Sequence, residues 1–214
     1  MLKYFIVAFT LLFFLSPSPV HAKYETPPYV VTQSWGKVEQ RIYKPYIVAE
    51  VTVDGPKEQA LTNGFKQIAS YIFGKNVPNE KISMTAPVTQ EPAEKKEKPK
   101  GESIPMTAPV TQQGDTANGP WKIQFMMPAE YTLETLPKPE NENIKLYQVP
   151  ERKFMALQFS GFAKPDNFAK RVKQLREFME LRNFRPAGEP VEAYYDPPWQ
   201  LPFLRRNEVM IEVH

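Results

Sequence analysis

GPKEQALTNGFKQIASYIFG (Gly55–Gly74) carries apolar residues at Leu61, Phe65, Ile68 and Ile72, spaced 4, 3 and 4. That spacing marks one face of an α-helix. Pro56 suits the first helical turn and Gly74 the C-terminal stop. A second stretch, KPDNFAKRVKQLREFMELRNF (Lys164–Phe184), repeats the pattern with Phe168, Val172, Leu175 and Met179. Every position of the second stripe follows its counterpart in the first by 107 residues. Such a constant offset points to an internal duplication.

Strand-like sequence flanks both helices. RIYKPYIVAEVTV (Arg41–Val53) precedes the first, and IKLYQV (Ile144–Val149) with KFMALQFS (Lys153–Ser160) precedes the second. All three are rich in β-branched and aromatic residues. After the helices, WKIQFMM (Trp121–Met127) alternates at Trp121, Ile123, Phe125 and Met127, and Val209, Ile211 and Val213 alternate near the end. Alternation predicts one buried and one wet face. The expected architecture is therefore two units of strand–strand–helix–strand–strand. They form a duplicated α+β domain with two helices packed on a curved or barrel-like sheet. A groove between the halves is the natural ligand site.

The first 22 residues stand apart. Lys3 is followed by the apolar run Tyr4–Leu15 and then SPSPVHA, with Val20 and Ala22 at the −3 and −1 positions of a signal-peptidase site. This reads as a secretory signal cleaved after Ala22. The expected mature chain is one domain, residues 23–214, monomeric, and periplasmic or secreted. Nothing later is long and apolar enough to span a membrane as a helix. The chain has no cysteine, so no disulfide holds the fold and no thiolate serves catalysis or metal binding. Removing the signal takes the net charge from +3 to +2, too weak a balance to indicate a nucleic-acid partner.

Histidine is equally informative. His21 lies in the signal and His214 is the last residue, so the expected mature chain has no internal imidazole for base catalysis or metal ligation. Nucleophile-elbow, zinc-protease, phosphate-loop and dinucleotide motifs are all missing. A conventional enzyme is not indicated; hydrolysis by Asp/Glu pairs is the class that composition leaves open.

MTAPVTQ occurs twice, at Met84–Gln90 and Met106–Gln112, around the charged spacer EPAEKKEKPKGES. The spacer, about 91–103, is expected to be a mobile surface insert. Thr111–Pro120 and Pro137–Asn143 also read as loops. Met84 and Met106 suit either a soft wall for a flat ligand or core filling at a strand end. Pro87 and Pro109 cannot donate to a ladder and belong at strand edges or ends.

Six motifs in order carry a family resemblance: KISMTAPV (Lys81–Val88), MTAPV (Met106–Val110), FMMPAEYTLETLPKP (Phe125–Pro139), FSGFA (Phe159–Ala163), YDPPW (Tyr195–Trp199) and RRNEV (Arg205–Val209). From about Tyr29 onward the chain resembles the SOUL, or haem-binding protein, family. The resemblance implies a distorted antiparallel β-barrel flanked by two α-helices with pseudo-two-fold internal duplication, and reversible binding of haem or a related tetrapyrrole. It places the apolar floor at Phe65 with Leu61, Ile68 and Ala69, and makes Met84, Met106 and Trp199 candidate contacts. Family positions thought to meet haem propionates with basic side chains correspond here to Thr62, Ser70 and Gln200. Lys66, Lys75, Arg205 and Arg206 are the nearby substitutes. Without an internal histidine, axial ligation would fall to Met, Tyr, Lys or His214.

The same fold resembles effector-binding domains of bacterial transcription regulators, where a buried glutamate meets cationic ligands. Glu208 is the counterpart, making a module for other hydrophobic or cationic small molecules the second reading. An envelope protein using its lysine-rich insert to contact acidic partners is the third. Arg205, Arg206 and Glu208 form either a charged pocket mouth or an ion pair bracing the barrel end. The aromatics of YYDPPW (Tyr194–Trp199) either line a planar-ligand site or cap the core. Tyr43 and Tyr46 are expected to pack on the sheet.

Overall fold

A computed structural model describes residues 24–78, 101–114 and 119–214. The signal, Met84 with the first heptapeptide copy, and most of the charged spacer lie outside the described residues. The strands are β1 (Tyr29–Trp35), β2 (Val38–Tyr43), β3 (Tyr46–Val53), β4 (Asn76–Val77), β5 (Val110–Gln113), β6 (Trp121–Met126), β7 (Lys138–Pro139), β8 (Lys145–Val149), β9 (Arg152–Phe159), β10 (Val191–Tyr194) and β11 (Asn207–Glu212). The helices are α1 (Lys57–Ile72) and α2 (Pro165–Leu181).

Nine strands form one sheet in the order β1-β2-β9-β11-β10-β5-β6-β3-β8, curled into a half-barrel. Every pairing in it is antiparallel. β4 and β7 make a separate two-stranded ribbon. The duplication is plain in this order. One unit is β2-β3-α1-β5-β6 and the other β8-β9-α2-β10-β11, joined where β5 pairs with β10. The first strand of each unit pairs with the second strand of the other: β2 with β9, and β8 with β3. The halves are therefore interlocked, each completing its neighbour's sheet.

Both helices pack on one face. Ala49 and Val51 of β3 and Trp121, Ile123 and Phe125 of β6 meet Ala60, Ile68, Tyr71 and Ile72 of α1. Met155, Leu157 and Phe159 of β9 and Val209 and Ile211 of β11 meet Phe168, Leu175 and Met179 of α2. The opposite, concave face carries a third cluster of Tyr43, Ala108, Phe154, Ala156, Val191, Ala193, Tyr195 and Met210. It follows that β11 is buried on both faces from Asn207 to Ile211. The alternating Val209, Ile211 and Val213 mark the helix side, but the other side is not wet, because the curl turns it inward.

The stripe read for α2 matches the helix that forms. For α1 it is turned: the residues facing the sheet are Ala60, Gly64, Ile68, Tyr71 and Ile72, while Leu61 is half-buried and Phe65 is 40% exposed. Small residues decide the orientation. A Cβ at Gly64 would sit 2.6 Å from Ile123 Cγ1 and 2.8 Å from Ile123 Cβ. The helix backbone thus rests directly on β6, a closeness that only glycine permits.

Thr111–Gln113, expected in a loop, instead form most of β5 at the junction of the halves. The sequence VTQQ has no apolar alternation to signal a strand. Its place is set by ladders to β6 and β10 and by Gln112, buried and donating to the Lys57 carbonyl at 3.0 Å.

Gly64→Ala separates local from tertiary effects. In an exposed helix the change is favourable by roughly 1 kcal/mol. Here overpacking against Ile123 should prevail, with a net loss of about 1–3 kcal/mol in urea unfolding. Asn63→Ala on the exposed side should be neutral or slightly stabilising, and a stabilised Gly64→Ala protein would contradict the packing.

Candidate ligand-binding site

Two surfaces compete for a ligand, and the concave face comes first because Glu208 lies there. Glu208 is 0% exposed, on β11 between Ala193 of β10 and Gln158 of β9. Its Oε2 accepts from Arg41 Nη1 at 2.7 Å and Tyr195 Oη at 3.0 Å. Its Oε1 accepts from Arg41 Nη2 at 3.1 Å and from Arg206 Nε and Nη2 at 3.0 and 2.8 Å. Arg41 in turn donates from Nε to Glu39 at 2.7 Å and from Nη1 to Tyr43 Oη at 3.1 Å. The two guanidiniums lie over aromatic rings, Arg41 at 4.4 Å from the Tyr29 centroid and Arg206 at 4.0 Å from that of Tyr195.

Five hydrogen bonds saturate this carboxylate. Burial would raise its pKa, but Arg41 and then Arg206 outweigh burial and hold it below the ordinary carboxylate value. Burial likewise lifts the Tyr43 and Tyr195 hydroxyls, with the Glu208 charge adding to it, so both stay protonated donors or acceptors. The cavity beside this cluster, lined by Tyr43, Tyr46, Phe154, Tyr195 and Met210 among others, holds about 30 Å³. That is room for one water. The expected groove between the halves is thus filled by the protein's own side chains. Arg41 stands where a cationic ligand would have to bind.

Arg205 and Arg206 have separate tasks. Arg206 is committed to Glu208, the bracing arrangement of the two weighed from sequence. Arg205 donates to the Gln200 carbonyl at 2.7 Å and to the Pro198 carbonyl, tying up the β10–β11 connection. In YYDPPW the two tyrosines face opposite ways. Tyr194 packs on Phe168 of α2 with centroids 4.9 Å apart, and Tyr195 points to Glu208.

The second surface is the outer side of α1. Leu61, Phe65, Ala69 and Phe73 recur every four residues, forming an apolar ridge beside the core-facing stripe. Phe65 stacks on Phe125 at 5.4 Å yet remains 40% exposed, and Phe73 is 65% exposed. Ile68 and Ala69 are buried, so the part of the ridge that meets solvent is Leu61, Phe65 and Phe73. Phe73 is the residue that sequence reading missed; the four-residue ladder from Phe65 through Ala69 was the available signal. The hydroxyls of Thr62 and Ser70 bond back to the carbonyls of Glu58 and Lys66 at 2.9 and 2.8 Å. Lys66 and Lys75 are exposed and enter none of the described ion pairs. An open hollow of about 370 Å³ adjoins the end of α1, lined by Gln67, Ser70, Tyr71, Lys75, Glu140, Asn141 and Ile144.

The remaining candidates are dispersed. Met106 is half-buried against the α1 core cluster, just before β5, and Pro109 immediately precedes that strand. The second MTAPV copy is held by Thr107 donating to the Met126 carbonyl and Ala108 N donating to the Glu25 carbonyl at 2.8 Å. Trp199 stands 80% exposed on the β10–β11 connection. Among the described residues there is no cluster of three or more His, Cys, Asp or Glu able to hold a metal ion.

Comparison with known proteins fits this geometry. The family model described as SOUL heme-binding protein matches residues 24–100 and 93–212. The two matches overlap inside the charged spacer, so each contains one MTAPV copy. Heme-binding protein 1 of Mus musculus is 27% identical over 197 residues, covering 87% of this chain and 92% of the relative. The Sus scrofa protein of the same name is 26% identical over 166 residues, covering 78% and 77%. Among solved structures, the EcmrR C-terminal domain aligns with TM-score 0.57 at 14% identity, over 83% of this chain and 96% of that one. A structure described as a hydrolase from Listeria innocua aligns at TM-score 0.54 and 14% identity, over 86% and 94%. At such identities these two show a shared fold and nothing further.

Glu208→Gln should cost roughly 3–5 kcal/mol, since it strands the buried Arg41 guanidinium and weakens the hold on the half-buried Arg206, whereas Arg41→Met with Glu208→Met should cost far less. The sign of the pH effect follows from the depressed pKa. Glu208 and Glu212, the latter lowered by its hydrogen bond from Arg152, contribute stability above the ordinary value of 4.5. That contribution is lost as pH falls through the folded-state values. Urea titrations across acid pH should show a shallower loss in the double variant than in wild type.

Proposed function

This chain belongs to the SOUL heme-binding protein family, and from that premise we propose that it binds haem or a related tetrapyrrole on the outer face of α1. The observation that carries the reading is the solvent-facing ridge of Leu61, Phe65 and Phe73. An apolar, partly aromatic strip on a rigid helix suits the face of a planar macrocycle. Phe65 is its centre, packed against Phe125. Lys66 and Lys75, which enter none of the described ion pairs, lie near the ridge in sequence, and they suit propionate carboxylates. Arg206 does not, because its guanidinium is spent on Glu208.

The ring has a seat here, but the described residues put no imidazole beside it. When bound, haem would be held by apolar contact and charge pairing, which favours reversible exchange over a fixed prosthetic role. Together with the N-terminal segment read as a signal, this supports an exported carrier or scavenger. The cation-binding reading is weaker, since a cation would have to displace Arg41 from a saturated Glu208 in a cavity the size of one water.

Titration of hemin into the protein, followed at the Soret band, should saturate at one equivalent. Phe65→Asp should weaken binding about tenfold or more while leaving the melting temperature nearly unchanged, because the side chain is already half in water. Lys66→Ala with Lys75→Ala should weaken it several-fold and flatten its salt dependence. Equal affinity in wild type and Phe65→Asp would remove α1 as the site.

A further inference from the structure

The β10–β11 connection carries a feature separate from the α1 ridge. Pro197–Arg206 reads PPWQLPFLRR, and within it Trp199 is 80%, Leu201 55%, Phe203 69% and Leu204 57% exposed. Phe162, on the β9–α2 turn, is 54% exposed beside them. Five large apolar side chains thus project from one end of the fold.

The exposure does not come from a slack loop. Pro202–Leu204 is a turn of 3-10 helix. Gly161 N donates to the Pro202 carbonyl at 2.9 Å, and Asn207 Nδ2 to the Gly161 carbonyl at 3.2 Å, joining the two turns. Gln200 N donates to the Pro197 carbonyl at 3.0 Å, and Arg206 N to Asp196 Oδ2 at 2.6 Å. Arg205 closes the connection through the Gln200 and Pro198 carbonyls. These bonds hold the connection in one shape, so its apolar side chains are presented without a further ordering cost. Lys164 and Arg205 flank it, 5.5 and 5.9 Å from the Phe162 ring centroid. Ser160–Lys164 and Pro197–Arg206 contain no acidic residue.

We propose that this platform is a membrane-contacting surface that seats Trp199, Leu201, Phe203, Leu204 and Phe162 in the interface of an anionic lipid bilayer. Trp, Phe and Leu beside Lys and Arg is the composition of interfacial anchors. Side chains that project to this degree suit a partner that yields to their shape, and a bilayer does so without a preformed groove. A second copy is the poorer occupant, because a self-complementary contact would bring Lys164 and Arg205 toward their own counterparts. This inference is independent of the tetrapyrrole reading.

The test is Trp fluorescence of the full chain with vesicles of phosphatidylcholine, with or without phosphatidylglycerol, bearing brominated acyl chains. Lipid contacts made by residues 1–22 are common to wild type and every variant, so the differences between variants report this platform. Wild type should be quenched, and Trp199→Phe should lose most of that quenching, Trp121 being buried and Trp35 packed on Phe178. Phe203→Ser with Leu204→Ser should raise the lipid needed for half-maximal quenching about tenfold. Lys164→Ser should raise it about fivefold on phosphatidylglycerol vesicles only. Quenching that is absent, or that persists in Trp199→Phe, overturns the proposal. So does a Trp199 blue shift that appears with rising protein concentration alone, which would assign the surface to a second copy.

Discussion

The buried pair of Arg41 and Glu208 spans the two halves of this protein and, once formed, cannot lose one partner cheaply. Arg41 comes from the first strand of one unit and Glu208 from the last strand of the other, with β9 between them. The register sets Arg41 opposite Phe154 and Glu208 opposite Gln158 on the same intervening strand, and the two side chains meet across it. Removing two charges from water costs several kcal/mol, and their attraction offsets this only where the remaining lone pairs and protons are satisfied. Glu39, Tyr43, Tyr195 and Arg206 supply that satisfaction. The strand exchange, β2 with β9 and β8 with β3, is what brings the two charges together.

The same arrangement decides where a ligand can go. A curled sheet of this kind has a concave face suited to a small molecule. Here that face is closed by tyrosines, by Met210 and by a guanidinium. What remains open is the helix side, where Gly64 draws α1 so close to β6 that Leu61 and Phe65 are carried out of the core. A larger residue at that position would lift the helix and lose the seat under Phe65. Core packing and the ridge proposed for tetrapyrrole contact are two consequences of one missing methyl group.

Charge placement distinguishes the two ends of the molecule. Arg206 and Arg41 are spent internally, and Arg205 braces backbone carbonyls. Lys66 and Lys75 beside α1, and Lys164 beside the β9–α2 turn, are exposed and enter none of the described ion pairs. The α1 lysines suit small carboxylates at the helix. Lys164 beside the projecting aromatics suits a surface of diffuse negative charge.

Local sequence determined much of this protein. The 4-3-4 spacing of both helices, their 107-residue offset and the β-branched runs before them define two equivalent α+β units, because helix and strand periodicity depend on near neighbours. The ordered motifs, and the lack of a histidine between His21 and His214, bounded the chemistry equally well. Tertiary structure alone decided the rest. VTQQ became the interior strand β5 because β10, from far along the chain, pairs with it on the side away from β6. α1 turned its small residues inward because β6 admits a glycine there and not a phenylalanine. Glu208 became a sealed structural charge because Arg41 reaches it across 167 residues of sequence. Each of these depends on which distant surface is met, and a short window of residues does not encode that.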